Sequence, residues 1–190
     1  MADAIFGKID PSGKLPVTWP SDAATPGGDF NGGAPSPLGD EPKVFDQLDN
    51  TGFGQGHGYN PLYPFAFGLS YTTFSVSGLS ATSSVSSDGT VTATFTVTNT
   101  GSRAGTDIVP VYVHQPVSLV LVPEQRLAGF TRVTLDPGQT KTVQVSLPVS
   151  VLAVTPGDVD GTGSPAVELG SYQVQIGTPA TLSADFTIHR

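Results

Sequence analysis

Apolar and polar residues alternate strictly over one stretch of this chain. Residues 91–98, VTATFTVT, place Val, Ala, Phe and Val at every second position between threonines. A period of two puts one set of side chains on a buried face of a β-strand and the other set on its solvent face. The pattern therefore predicts a half-buried strand, which Asn99-Thr100-Gly101 ends.

Shorter runs of the same kind follow along the second half of the chain. Strands are predicted at residues 75–81, 108–114, 127–133, 143–147, 172–176 and 182–188, with a further short piece at 149–154. Seven or eight short strands separated by turns are typical of a sandwich of two antiparallel sheets. The sequence predicts an all-β sandwich over residues 74–190. Its predicted interior comprises Phe95, Val97, Val111, Val113, Val145, Val174 and Phe186.

One of these strands carries a proline. Residues 108–114 are almost continuously apolar, as expected of a strand that is covered on both faces. Pro110 lacks the N–H that a ladder needs, so it indicates a bulge or a sheet edge at that point.

The first twenty residues have a different character. Residues 2–6 read as the last turn of a helix that Gly7 ends, residues 10–13 as a turn, and residues 15–19 as a short strand. These pieces are too small to bury their own apolar side chains, so we interpret residues 1–20 as the edge of a larger α/β domain. Two outcomes stay open for this arm, folding back onto its own sandwich or pairing with a second copy, and simple mobility is the alternative to both. We favour the second, which predicts self-association through residues 1–20.

The sequence predicts that residues 21–73 form a linker between residues 1–20 and the sandwich. Gly, Pro, Asp and Asn dominate residues 21–62, and such a length without periodicity is uncommon inside a compact domain. The end of the linker is rich in aromatic residues. We expect Tyr63, Phe65, Phe67 and Leu69 to be buried there, because large apolar side chains gain about 1.5–3 kcal/mol each on leaving water.

Composition and charge exclude several classes of protein. The net charge of −8 repels phosphate backbones, so nucleic acid is not an expected partner. The chain has no cysteine, which rules out disulfides and thiolate metal sites. No apolar run approaches the roughly 18 residues of a membrane-spanning helix, and residues 1–6 do not resemble a signal peptide.

Several motifs resemble family 3 glycoside hydrolases, the β-glucosidase and β-xylosidase family. Residues 2–20, ADAIFGKIDPSGKLPVTWP, are similar to the end of the family's α/β sandwich domain. Residues 62–74, LYPFAFGLSYTTF, resemble the segment that leads into its third domain. Three further stretches resemble parts of that third domain: residues 97–101 (VTNTG), 111–113 (VYV) and 123–130 (PEQRLAGF).

The resemblance implies a fold and an arrangement of domains. Residues 74–190 would be a fibronectin type III-like domain of the immunoglobulin-like class, residues 21–73 its linker, and residues 1–20 a remnant of the α/β domain. The catalytic domains of the parent enzyme would be its partners. A secreted or periplasmic location is compatible with such a parent.

The chain departs from the family pattern at two places. Ala66 stands where the family usually has Gly. The linker has Val44-Phe45-Asp46-Gln47-Leu48 where the family commonly has a segment like Tyr-Arg-Tyr-Phe-Asp.

Catalysis by this chain alone is not expected. Retaining glycosidases need a nucleophilic carboxylate and an acid/base carboxyl about 5 Å apart. The resemblance implies an Asp nucleophile in a Ser-Asp-Trp-like motif of a preceding barrel domain, and an acid/base upstream of the segment that resembles residues 11–16. Ser21-Asp22 is followed by Ala23 and does not match. We expect no catalytic residue and no cofactor in this chain.

Sugar binding is the alternative function. Exposed aromatic faces stack on pyranose rings, and the candidate residues for such stacking are Trp19, Tyr59, Tyr63 and Tyr71. Packing of the linker is the competing interpretation for Tyr63 and Tyr71. Oligo- or polysaccharide would be the ligand.

A metal site is a weaker candidate. Asp158 and Asp160 occupy two acidic positions of a calcium-type loop, but no glutamate closes it, so a plain turn is the favoured interpretation. Three functions therefore stay open: a structural segment, a sugar-binding module, and a fragment that is described by the hydrolase activity of its parent.

Overall fold

A computed structural model describes most of the chain in two compact units. The described residues are 2–16, 63, 65–120, 122–155, 163–177 and 180–190. One unit comprises Met1–Ser12 together with Ser70–Arg190, and the other comprises Gly13–Leu69. The domain boundaries after residues 20 and 73 stay a prediction.

The larger unit consists of strands. In the described part of the chain these are β1 (Phe74–Ala81), β2 (Ser84–Ser86), β3 (Thr90–Asn99), β4 (Gly105–His114), β5 (Arg126–Leu135), β6 (Thr140–Pro148), β7 (Gly170–Ile176) and β8 (Leu182–His189). A short helix, α1 (Ala2–Ile5), precedes them, and a 3₁₀ helix, Val149–Leu152, follows β6. No helix among the described residues has the length and apolar character needed to cross a membrane.

The strands form two sheets. The smaller sheet has the order β1-β3-β6, and the larger has the order β2-β8-β7-β4-β5. All pairs are antiparallel except β2 and β8, which are parallel. The predicted all-β sandwich is confirmed, with the correction that one edge pair is parallel.

The core lies between the sheets. Along β3 buried residues alternate with half-exposed threonines, which confirms the period-two interpretation. Gly129 shows how closely the sheets approach, because a Cβ at this residue of β5 would lie 2.8 Å from Leu147 Cδ2 and 3.1 Å from Val145 Cγ1 of β6. All residues of the predicted interior are buried: Phe95, Val97, Val111, Val113, Val145, Val174 and Phe186.

Two local predictions need correction. Residues 149–152 form a 3₁₀ helix and not a strand; Val149 and Leu152 are buried and Val151 is exposed. Residues three apart eclipse each other in a 3₁₀ helix, which explains this burial. The strand β2 was not predicted, because Ser84 and Ser86 flank a single buried Val85.

The proline prediction is consistent with the register of β4. The β4–β5 register shifts between Val111 and Tyr112, one residue beyond Pro110. On its other side β4 pairs with β7 only from Tyr112 to His114. The missing N–H of Pro110 therefore removes no bond to β7.

The predicted helix end is confirmed. Phe6 N–H donates to Ala2 O at 2.9 Å, and Gly7 follows in the left-handed region with a φ of 71°. Glycine adopts this conformation without the steric penalty of a Cβ, which is why it ends helices so often.

The smaller unit pairs two of its segments through the backbone. Leu15 N–H donates to Phe67 O at 2.8 Å, and Ala66 N–H donates to Leu15 O at 2.9 Å. Residues 17–19 of the predicted strand lie outside the described residues. Phe65 and Phe67 are half-buried. Tyr63 is 40% exposed and Leu69 is 72% exposed, so the predicted burial of these two side chains is wrong.

Candidate functional site

The carboxylate of Asp10 joins the N-terminal arm to the sandwich. It accepts the hydroxyl of Ser70 at 2.9 Å, the backbone N–H of Tyr71 at 2.7 Å, and the N–H of Thr106 at 3.3 Å. Thr106 belongs to β4, and Ser70 and Tyr71 come shortly before β1. One side chain therefore holds the arm to two separate parts of the sandwich, and we call this group the Asp10 knot.

A second polar centre lies beneath the Asp10 knot. Asn99, at the end of β3, has no exposed surface. Its Oδ1 accepts the Thr72 hydroxyl at 2.8 Å and the Gly101 N–H at 3.0 Å. Its Nδ2 donates to Arg103 O at 2.7 Å and to Leu135 O at 3.1 Å. The buried amide uses both of its donors and accepts twice, so its polar groups are satisfied.

Tyr71 and Arg103 hold the end of helix α1. The Tyr71 hydroxyl donates to Ala4 O at 2.7 Å, and the Arg103 guanidinium donates to Gly7 O. The guanidinium carbon also lies 5.4 Å from the centre of the Tyr71 ring. The last carbonyls of a helix need external donors and favour a nearby cation, and both are supplied here. These contacts favour the packing interpretation of Tyr71, whose sugar-binding role stays a prediction.

The arm folds back onto its own sandwich over residues 2–12. This is the outcome that we favoured less. The contacts are polar, however, and the apolar side chains of the arm remain outside: Ile5 is 67% exposed, Phe6 81% and Ile9 57%. Self-association through residues 1–20 therefore stays a prediction.

Glu168 organises a loop beyond the other end of β4. Its carboxylate accepts the Ser118 hydroxyl at 2.6 Å, the Leu119 N–H at 2.8 Å, and the side-chain amide of Gln115. The bond from Ser118 and then that from Leu119 lower the pKa of Glu168, and burial opposes them. We call this group the Glu168 clamp. It uses the carboxylate to hold residues 115–119 in one shape.

The other predicted site residues are not brought together. Tyr63 is 40% exposed, and its ring lies 4.7 Å from that of Phe67 within the smaller unit. Trp19, Tyr59, Asp158 and Asp160 lie outside the described residues. Where the structure describes the chain, no three His, Asp or Glu side chains are grouped as a metal site would need.

Sequence reasoning missed Asp10, Asn99 and Glu168 as organising residues. Asp10 is 60 to 96 residues away from its partners in sequence, so no local pattern could point to them. Asn99 offered a weak signal, an amide at the end of a strand where the next apolar residue would fall. Glu168 gave none.

Comparison with known proteins agrees with this fold. A fibronectin type III-like domain matches residues 107–180. A periplasmic β-glucosidase of Salmonella typhimurium is 37% identical over 158 residues, which cover 81% of this chain and 20% of that protein. A β-xylosidase of Formosa agariphila is 34% identical over 183 residues, which cover 93% of this chain and 23% of that protein.

A solved structure gives the same picture. The GH3 β-glucosidase of Bifidobacterium adolescentis superposes with a TM-score of 0.70 at 29% identity, covering 98% of this chain and 27% of that one. The chain thus spans about a fifth to a quarter of the length of these proteins. The chain belongs to the family 3 glycoside hydrolases and corresponds to their C-terminal part, which includes a fibronectin type III-like domain.

Proposed function

We propose that this chain is a non-catalytic accessory segment that braces the catalytic domains of a β-glucosidase-like enzyme. The Asp10 knot carries the proposal. Residues 1–20 resemble the end of the family's α/β domain, and Asp10 within them is bonded to Ser70, Tyr71 and Thr106 of the sandwich. A carboxylate held at three points would fix the angle between the two domains.

The strength of the knot supports a bracing role. Hydrogen bonds to a charged group contribute about 1.5–3 kcal/mol each where they are shielded from water. Exposure of Ser70 and Tyr71 reduces that figure here. Domains of one chain otherwise tend to move relative to each other unless their interface is large and hydrophobic. The knot would limit this motion without a large apolar interface.

The proposal places the catalytic carboxylates outside this chain. The Ser-Asp-Trp-like motif that the family uses for its nucleophile does not occur in the sequence. Asp10 and Glu168 are both committed to hydrogen bonds that hold backbone segments. The partners of the segment would be the catalytic domains of its parent, and the name of the Salmonella relative favours a periplasmic or secreted one.

An activity assay tests the first half of the proposal. We expect the purified chain not to hydrolyse a chromogenic β-glucoside or β-xyloside. The experiment needs a family 3 β-glucosidase as a positive control and Asp10→Asn and Glu168→Gln variants of this chain. Turnover that survives purification and is lost in a carboxylate variant would make the chain a hydrolase in its own right.

Hydrogen exchange tests the second half. If the arm is fixed to the sandwich, the Tyr71 and Thr106 amides should exchange slowly, because both donate to Asp10. Asp10→Ala should speed up both, whereas Asp136→Ala, at an exposed turn, should leave them unchanged. Equal exchange in wild type and Asp10→Ala would remove the support for bracing.

A further inference from the structure

Three glutamines form a chain of hydrogen bonds that runs from the interior to the surface. Gln125 Nε2 donates to Gln175 Oε1 at 2.9 Å, and Gln175 Nε2 donates to Gln173 Oε1 at 3.3 Å. Gln173 Nε2 then donates to Asp185 Oδ1 at 2.8 Å. Gln125 and Gln175 are buried, with 3% and 8% of their surface exposed. The buried amides therefore fix the orientation of Gln173 and, through it, of the Asp185 carboxylate.

The exposed end of this relay opens into a groove. A cavity of about 440 Å³ lies there, beside the solvent-facing residues of β7 and β8. This volume is within the range of about 300–1,000 Å³ that small-molecule sites occupy. Its polar and apolar lining includes Ser83, Pro116, Ser171, Gln173, Asp185 and Thr187.

Both sides of the groove are held in place. Pro116 lies between residues that the Glu168 clamp binds, because Gln115 and Ser118 both donate to that carboxylate. On the opposite side, the Thr187 N–H and hydroxyl both donate to Ser83 O, at 3.0 and 3.1 Å. The groove is thus shaped before any ligand arrives, which lowers the entropic cost of binding.

The lining indicates the chemistry of a ligand. Asp185 offers acceptor oxygens to paired hydroxyls, and Gln173 has a second N–H besides the one that it gives to Asp185. Pro116 adds an apolar surface that suits the C–H face of a sugar ring. The groove-lining residues named above include no cation, and the net charge of the chain is −8, so an anionic ligand is disfavoured.

We propose that this groove binds a neutral saccharide. It is a different place from the one that the exposed tyrosines predict, since neither Tyr63 nor Tyr71 lines it. The site goes beyond the bracing function and does not depend on it. A segment that braces a glycosidase and also holds a sugar would keep carbohydrate close to the enzyme.

Titration with cellobiose, followed by two-dimensional NMR of the ¹⁵N-labelled chain, tests this site. We expect saturable shifts in the millimolar range at the Gln173 side-chain amide and at the backbone amides of Ser171 and Thr187. Asp185→Ala should weaken binding about tenfold or more, because a hydrogen bond to a charged group is lost. Gln173→Ala should weaken it as well.

Matched controls separate the site from general effects. Asp136→Ala removes an exposed carboxylate elsewhere and should leave the affinity unchanged, and glucuronate should bind more weakly than glucose. Both Asp185 and Asp136 are exposed, so neither variant should unfold the chain. The proposal is overturned if cellobiose causes no saturable shift, if Asp185→Ala binds as wild type does, or if the shifts map to Tyr63 or Tyr71.

Discussion

Gly105 and Asp10 fit against each other because Gly105 has no side chain. A Cβ at this residue would lie 2.6 Å from Oδ2 of Asp10 and 2.5 Å from Cγ2 of Thr72. Real Cβ atoms essentially never approach other atoms within 3.0 Å. An alanine at this position, at the start of β4, would therefore force the Asp10 carboxylate or the Thr72 methyl group to move.

Gly105→Ala should consequently release the arm. The new methyl group displaces Asp10, which loses its bonds to Tyr71 and Thr106. Trypsin should then cleave after Lys8 faster than in the wild type, since protease sites must unfold locally to be cut. Gly13→Ala is the matched control, because a Cβ there meets nothing within 4 Å. Identical cleavage in Gly105→Ala and wild type would show that the arm does not depend on this contact.

The buried amide of Asn99 should be important for the stability of the sandwich. Asn99→Ala leaves Thr72, Gly101, Arg103 and Leu135 without their partner. The bonds to Thr72 and Leu135 are buried, and each unsatisfied buried polar group costs about 1–3 kcal/mol, so we expect a loss of about 2–6 kcal/mol in urea unfolding. Ser77→Ala, at an exposed residue of β1, should change the free energy of unfolding by less than about 0.5 kcal/mol. A loss below about 1 kcal/mol for Asn99→Ala would contradict the role of this network.

Ala66 is strained in its present form. Its φ of 63° lies in the left-handed region, where a Cβ costs about 1–2 kcal/mol. This accounts for the glycine that the family usually has at the position. Ala66→Gly should stabilise the pairing with Leu15 by about 0.5–1 kcal/mol, after the greater freedom of glycine in the unfolded chain is subtracted.

Exchange of the Leu15 amide measures this effect. The amide donates to Phe67 O, so its exchange should slow by about two- to fivefold in Ala66→Gly. Ala166→Gly changes an exposed alanine whose φ is not positive and should not slow it. Faster exchange in Ala66→Gly would mean that the left-handed conformation is not maintained in solution.

Much of the fold could be predicted because it depends on local alternation. In β3 the buried Phe95 and Val97 and the intervening threonines follow from a period of two alone. This reasoning fails for the segment Val149–Leu152, because spacings of two and three both fit so short an apolar segment. The Asp10 knot and the bond from Gln125 to Gln175 that begins the glutamine relay join residues at least 50 positions apart in sequence. These contacts are set by the tertiary fold, which no local pattern records.

The Glu168 clamp should weaken in acid. Hydrogen bonds from Ser118 and Leu119 lower the pKa of Glu168 below its ordinary value of about 4.5. Because the pKa of Glu168 is lowered in the folded state, its ionised carboxylate stabilises the loop at pH values above the ordinary pKa. This stabilisation is lost as the pH falls through the lowered pKa of the folded state.

The Leu119 amide shift reports this transition. Its titration should be centred on the lowered pKa of Glu168, so the midpoint should lie below the ordinary value of about 4.5. In Glu168→Gln the shift should be independent of pH over the same range. Asp185→Asn should leave the titration of Leu119 intact, because Asp185 is not part of the clamp. A Leu119 shift that titrates equally in Glu168→Gln would assign the change to another group.

The exposed side chains of the arm should make the chain associate weakly. Ile5, Phe6 and Ile9 lie within five residues and are 67%, 81% and 57% exposed. Full burial of such side chains yields about 1.5–3 kcal/mol each, and two copies would contribute three apiece. Association costs about 4–15 kcal/mol in lost freedom, so the surplus supports only a weak dimer. We therefore expect light scattering to show a molar mass that rises with concentration.

The triple variant Ile5→Ser, Phe6→Ser, Ile9→Ser should stay monomeric. Val117→Ser with Leu119→Ser is the control, because these side chains are 82% and 84% exposed in the loop after β4. If that control abolishes association equally, the arm is not the interface; a monomer at every concentration rules out association altogether.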